Sequence, residues 1–284
     1  MLVTLKEILT HARENHYAVP AFDVVEDVMV RAVLEQCEAL RAPAILMCLP
    51  GPDLEGHGWS YIAGLVKAVA DCHDIPIALH LDHATEMDQI QRALDEGFTS
   101  VMIDGSHHPF EANVAITRSV VEWAHPLGVS VEAELGFVGG ADLDDTRHDE
   151  SVLTDPDEVV HFVEQTEVDA LAVSIGTAHG VYKSTPNLNI ARLQQLNQVS
   201  TVPLVLHGGS GTPDDQIRAA AAHGICKLNV YADNRVAAAR GLQACAAAMT
   251  RPDPLPKQLF GPIKAEIQQV VETKIRLLSA QNRA

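Results

Sequence analysis

The strongest constraint on the fold is an alternation. Short apolar runs rich in Val, Ile and Leu are each followed by a segment of helical period, eight times over. The runs are Tyr17–Val24, Pro43–Leu49, Pro76–Asp82, Ser100–Asp104, Ser130–Leu135, Ala170–Ile175, Pro203–Leu206 and Lys227–Val230. The helical segments that follow are Glu26–Leu40, Tyr61–Cys72, Glu86–Glu96, Phe110–His125, Pro156–Gln165, Ile190–Val199, Asp214–His223 and the alanine-rich Asn234–Met249. Thr154-Asp155-Pro156 and Thr212-Pro213-Asp214 mark two helix starts, with a capping side chain ahead of a proline in the first turn. Strands apolar on both faces belong to a parallel sheet covered by helices. Eight such units predict a closed (β/α)₈ TIM barrel. A doubly wound sheet competes with it, but that fold usually carries a glycine-rich fingerprint after its first strand, and here that strand ends Ala21-Phe22-Asp23.

A further helical stretch, Gly261–Leu278, predicts a C-terminal helical extension. One barrel typically takes about 250 residues, so the 284 residues are expected to form one domain, 1–284, and no linker, repeat or low-complexity segment interrupts them. A net charge of −18 argues against nucleic acid and anionic membranes as partners, since both demand a basic face. Five scattered cysteines without a CxxC suit reduced thiols in a cytoplasm. No signal-like leader and no bilayer-spanning apolar run is present, so a cytoplasmic protein is expected.

In such a barrel the active site lies at the C-terminal ends of the strands. Three of those ends carry a histidine: Leu81-Asp82-His83-Ala84, Thr177-Ala178-His179-Gly180 and Leu206-His207-Gly208-Gly209. One histidine after a strand is commonly structural. Three at corresponding ends suggest convergence on one metal, because buried imidazoles and carboxylates must be paired or ligate an ion. Three neutral imidazoles hold Zn²⁺ and leave a position open for a substrate oxygen. Asp104 and Glu134 are further carboxylates that either orient a ligand histidine or give the ion a second position. Asp82, beside the metal, is a candidate proton-transfer group, its plain alternative being a cap on the next helix. Asp23, Ser106, His107, Glu132 and Asn229 are further polar residues at the strand ends.

The run His207-Gly208-Gly209-Ser210-Gly211-Thr212 joins a strand to a helix N-terminus, where exposed N–H groups favour an anion. Barrels often seat a phosphate at the loops after their last two strands. Gly180 and Lys183 are placed to add a donor and a cation.

These motifs resemble the class II, metal-dependent ketose-bisphosphate aldolases, especially the branch containing the tagatose-bisphosphate aldolases. The likeness runs through Tyr17-Ala-Val-Pro-Ala-Phe22, Leu81-Asp-His83, Ser100-Val-Met-Ile-Asp-Gly-Ser-His107, Val131-Glu-Ala-Glu-Leu-Gly136, Gly176-Thr-Ala-His-Gly180, Pro203-Leu-Val-Leu-His-Gly208 and Lys227-Leu-Asn229. It implies that His83, His179 and His207 hold one zinc per chain, that Asp82 is the acid/base residue, and that Asp104 and Glu134 form an alternative metal position. It implies a donor resembling dihydroxyacetone phosphate on Gly180, Lys183, Gly208, Ser210 and Asn229. A monovalent cation (Na⁺ or K⁺) near Gly180 and Gly208, and a homodimer or homotetramer, are also implied.

The reaction so implied is reversible retro-aldol cleavage, in which the metal stabilises the enediolate left when the C3–C4 bond breaks. No Schiff-base lysine is required. The family's proton-exchanging glutamate, two positions after a Gly-Gly pair, is replaced by Asp142 after Gly139-Gly140. Its tail arginine would correspond to Arg283. Four positions depart from the family: Asp23 for an asparagine, Leu49 for a hydroxyl residue, Tyr231 for a small or acidic one, and Ala232 for a phosphate-contacting threonine. They predict an enzyme that keeps its donor site but handles fructose and tagatose 1,6-bisphosphates poorly. An ordinary bisphosphate aldolase is the alternative. More distant ones are a zinc barrel hydrolase, which normally shows a His-x-His pair on its first strand, and an inactive binding or regulatory barrel.

Overall fold

The computed structural model describes residues 1–51, 57–140, 151–179 and 186–284, with the backbone alone at His179. In chain order its elements are α1 (Leu5–Glu14), β1 (Val19–Asp23), α2 (Asp27–Ala39), β2 (Ala44–Cys48), α3 (Gly58–Val69), β3 (Ile77–Ala84), α4 (Met87–Asp95) and β4 (Ser100–Ile103). Then come α5 (Phe110–Ala124), β5 (Ser130–Leu135), the two-residue β6 (Gly139–Gly140), α6 (Pro156–Thr166), β7 (Ala170–Val173) and the two-residue β8 (Ala178–His179). The chain ends with α7 (Ile190–Val199), β9 (Leu204–Leu206), α8 (Asp214–Ala222), β10 (Ile225–Val230), α9 (Ala232–Ala248) and α10 (Pro256–Leu277).

Eight strands close into a parallel barrel in the order β1-β10-β9-β7-β5-β4-β3-β2, the predicted TIM barrel. The strands are buried along their length, which is why they read as unbroken apolar runs. Among the described residues β6 and β8 pair only with each other, Gly139 opposite Ala178, and so tie the segments after β5 and β7 together above the barrel.

Helix α1 was not foreseen. Thr4 and Glu7 form a capping box at its start, and Leu5, Ile8, Leu9 and Ala12 make its buried stripe. It packs against β3, β5 and β10, while Val3 N–H donates to the Ile77 carbonyl at 2.9 Å, so this segment closes the N-terminal end of the barrel.

The C-terminal helix begins earlier than Gly261, at Pro256. Pro262 would ordinarily break it by stranding the carbonyl four residues back. That carbonyl belongs to Gln258 and accepts the Cys245 thiol of α9 at 3.4 Å, so the helix runs on. Gly241 makes the close packing possible, because a Cβ there would collide with the Ile263 backbone. The extension therefore lies along α9 and α2 as part of the outer shell.

Candidate active site

Side chains two apart on a strand face the same way. His80 and Asp82 on β3, Glu132 and Glu134 on β5, and Lys227 and Asn229 on β10 follow that spacing. These three strands are not neighbours in the barrel, yet Lys227 reaches Glu132 and Asn229 reaches Asp82, so these contacts cross the lumen. The polar side chains form two layers. His80, Ser100, Glu132 and Lys227 make the lower one. Asp82, Glu134 and Asn229 make the upper one, with His83 and His207 at its rim.

His83 owes its place to an irregularity. The β3–β4 register shifts between Leu81 and Ala84, and His83 has φ +48°. A bulge of this kind lets two successive side chains serve one site. His83 Nδ1 then pairs with Asp104 Oδ2 at 3.0 Å, while its Nε2 lies 3.9 Å from Asp82 Oδ2. Asp104 is itself held by the Ser106 N–H and hydroxyl at 3.0 and 2.7 Å. It orients His83, one of the two roles its position allowed.

His207, directly after β9, is fully buried. Its Nε2 is 3.0 Å from Glu132 Oε1 and its Nδ1 is 3.2 Å from Glu134 Oε2. The two histidine rings meet edge to face with centroids 4.5 Å apart. Gly208 has φ +70°, and a Cβ there would strike the Ala178 carbonyl. Glycine thus lets the segment after His207 lie against the Ala178 backbone of β8. Asn113 of α5 donates to the Glu134 carbonyl at 2.9 Å and so steadies that end of β5.

Burial opposes charge at each of these groups, and their neighbours decide the outcome. For Asp82 the neighbours are His83, Lys227, His80 and His207, which hold its carboxyl well below the ordinary range. Lys227 and His207 pull Glu132 down to about 2. Asp82, the Asp104 hydrogen bond and Glu134 raise His83 well above the ordinary imidazole value. His207 is raised by Glu132 and Glu134 against burial and the neighbouring His83. His80 goes the other way, lowered by burial and by Lys227.

Ligand atoms of Asp82, His83 and His207 lie within 4.8 Å of one another, and so do those of His83, Asp104 and Glu134. Each imidazole has one nitrogen on a carboxylate and the other toward the cluster. That donor set fits a divalent metal of the zinc type.

The remaining candidates divide. Asn229 Nδ2 donates to both Asp82 oxygens at 3.0 and 2.9 Å. Ser210 Oγ accepts the N–H groups of Tyr231 and Asp233, each at 3.2 Å, and so caps the start of α9. Asp23 is buried at the end of β1, where it raises the Cys48 thiol after burial has already done so. Tyr231 is 4% exposed, with the Arg235 guanidinium 5.2 Å from its ring centre. Gly180, Lys183 and Asp142 lie outside the described residues. Arg283 is not brought here within the chain. Its guanidinium sits 5.0 Å from the Tyr17 ring, ahead of β1 and so at the opposite end of the barrel.

Sequence reasoning assigned no role to His80, Lys227 or Lys274, and listed Glu132 without one. For the three strand residues the signal was a polar residue at every second place in otherwise apolar strands; Lys274, on α10, had no such signal. Lys274 of α10 reaches the Gly209 carbonyl at 3.3 Å and Asp233 at 2.8 Å, behind the glycine-rich turn.

The profile of the class-II fructose-bisphosphate aldolases matches residues 3–283. A fructose-bisphosphate aldolase of Staphylococcus aureus (strain Mu50) is 40% identical over 289 aligned positions, covering 100% of this chain and 99% of the relative. One from Staphylococcus epidermidis is 39% identical with the same coverage. Among solved structures, the YdjI aldolase of Escherichia coli K12 superposes with a TM-score of 0.88 at 31% identity, over 100% of both chains.

Proposed function

The chain belongs to the class-II fructose-bisphosphate aldolase family and is a lyase acting by aldol cleavage on sugar phosphates, and from that premise we propose a zinc site on His83, His179 and His207. The supporting observation is the pair of rings whose outer nitrogens are taken by Asp104 and Glu132 while the inner ones face Asp82 and Glu134. When bound, the metal supplies a Lewis acid for the negative charge that develops on substrate oxygens as the carbon–carbon bond breaks.

The chain's own groups do the rest. Asp82 lies beside the buried Lys227 ammonium, which favours its ionised form, and is oriented by Asn229 on both oxygens, so it is poised to take the acceptor-side hydroxyl proton. In the condensation direction the same carboxyl returns that proton. The turn through Gly208 and Ser210, at the N-terminus of α9, receives the donor phosphate. Lys183 and Gly180 complete the donor pocket, and Asp142 exchanges the donor carbon's proton in place of the longer glutamate. Backbone carbonyls near Gly180 and Gly208 take a sodium or potassium ion. Five unpaired thiols suit a reducing compartment, so we place the enzyme in the cytoplasm, as a homodimer or homotetramer.

At the acceptor end Asp23, Leu49 and Tyr231 are buried and offer a distal phosphate little. Each hydrogen bond lost to a charged group costs roughly 1.5–3 kcal/mol, or about ten- to a hundredfold in affinity. The reading is therefore a donor such as dihydroxyacetone phosphate joined to an unphosphorylated or differently shaped aldehyde. The second reading, an ordinary fructose or tagatose 1,6-bisphosphate aldolase, is favoured by its relatives' names and by the Arg235 guanidinium on Tyr231. A panel of aldehydes with dihydroxyacetone phosphate, run beside cleavage of both bisphosphates, separates the two. Bisphosphate cleavage near ~10⁵ M⁻¹s⁻¹, well inside the normal enzyme range, would give the decision to the second.

A further inference from the structure

We propose that Glu132 and Lys227 are positioning residues, a lumen-crossing ion pair one layer below the metal donors that fixes which nitrogen of His207 faces the metal. This rests on the reading of His207 as a ligand. Both side chains are fully buried, and Lys227 Nζ lies 3.0 and 2.9 Å from the two Glu132 oxygens. Barrel layers are usually filled by branched apolar side chains. Taking an ion pair out of water is expensive, and on stability alone an apolar pair of similar volume would often serve as well or better. The pair needs a use that an apolar layer lacks.

Its use is visible in the geometry. Held on both oxygens by Lys227, Glu132 turns Oε1 to His207 Nε2 at 3.0 Å. A carboxylate only accepts, so Glu132 keeps a proton on Nε2 and leaves Nδ1 as the nitrogen whose lone pair is available once a metal is bound. Nδ1 is the nitrogen on the side of Glu134, 3.2 Å away. Without that acceptor the ring can turn over or carry its proton on Nδ1, and neither state donates a lone pair to the site. His80 closes the other flank. Its Nδ1 is 2.8 Å from Ser100 Oγ, and its Nε2 stands 3.6 Å from Glu132 Oε2 and 3.7 Å from Asp82 Oδ1, which restricts how Glu132 can rotate.

Two double variants separate hydrogen bonding from charge. Glu132→Leu with Lys227→Met removes the pair and the acceptor. Glu132→Gln with Lys227→Met removes the charges and keeps an acceptor oxygen. Metal-free protein is melted, and zinc affinity is measured by competition with a chromophoric chelator. Cobalt-loaded samples report ligand geometry through their visible bands. The expectation is that both variants melt close to wild type, that the leucine variant binds zinc 10–100-fold more weakly with altered cobalt bands, and that the glutamine variant recovers most of the loss. Wild-type affinity and cobalt bands in the leucine variant would overturn the proposal.

If the leucine variant does not fold, ring-nitrogen NMR of zinc-loaded wild type decides. A protonated Nε2 and a metal-bound Nδ1 on His207 support the pair's role, and the reverse tautomer overturns it. Wild type that binds no zinc would instead remove the metal reading beneath the proposal. Tight wild-type binding with an unaffected leucine variant removes this proposal alone.

Discussion

Asp82 and His207 sit in the same cluster but have separable tasks. Asp82 has both oxygens on Asn229 and stands beside, rather than within, the imidazole pair. Asp82→Ala is expected to keep its zinc and lose 10²- to 10⁴-fold in kcat, the range for a general acid–base group. His207→Ala is expected to lose the metal itself, read by metal content after dialysis. Near-wild-type turnover in Asp82→Ala would remove that residue from the chemistry; the cap on α4 is Glu86, so the helix-cap alternative is not open to Asp82. At this scale the sequence was informative where polarity broke an apolar strand end, which is why Asp82, His83 and His207 stood out. It left Glu132, His80 and Lys227 without a role, because their two-residue spacing shows a shared face but facing the lumen depends on barrel closure, which no single strand records. Asp104 contacts His83, which fits the orienting role, while its place with His83 and Glu134 keeps the second metal position open.

The elements that place these residues are less regular than a barrel requires. β3 carries the bulge that turns His83 inward. A non-glycine residue with left-handed backbone costs roughly 1–2 kcal/mol, a cost apolar alternation could not reveal. Helix α1 escaped notice although Thr4 and Glu7 spell a capping box. The extension α10 was seen only in part, because Gly261-Pro262 reads as a break until Cys245 is known to take the Gln258 carbonyl. That helix also reaches the site through Lys274, which holds Gly209 and Asp233 behind the turn proposed to receive the donor phosphate. Lys274→Met should raise KM for a phosphate-bearing donor several-fold while changing kcat little, measured by steady-state kinetics with saturating metal. A fall in kcat at unchanged KM would detach α10 from phosphate binding.

For the whole molecule, the eight-unit alternation predicted the closed barrel, and the order of its strands follows from it. Among the described residues no helix is long and apolar enough to cross a membrane. The tail is anchored at the barrel's N-terminal end. Asn282, Arg283 and Ala284 donate their N–H groups to the carbonyls of Leu40 and Arg41 at 2.9 Å. A role for Arg283 at the distal end of a substrate therefore needs a second subunit. Removing the last three residues should lower the melting temperature and leave KM unchanged. A many-fold rise in KM, with light scattering showing a dimer or tetramer, would place the arginine in a neighbouring site.

Metal dependence is the point on which the rest turns. The direct measurement is retro-aldol cleavage of the best substrate from the panel, before and after exhaustive chelation, with metal content determined on the same samples. About one zinc per chain, loss of cleavage on its removal, and recovery with added zinc or cobalt are the predicted results. Undiminished cleavage by metal-free protein, together with a substrate adduct trapped by borohydride, would contradict the account and move the chemistry to a lysine.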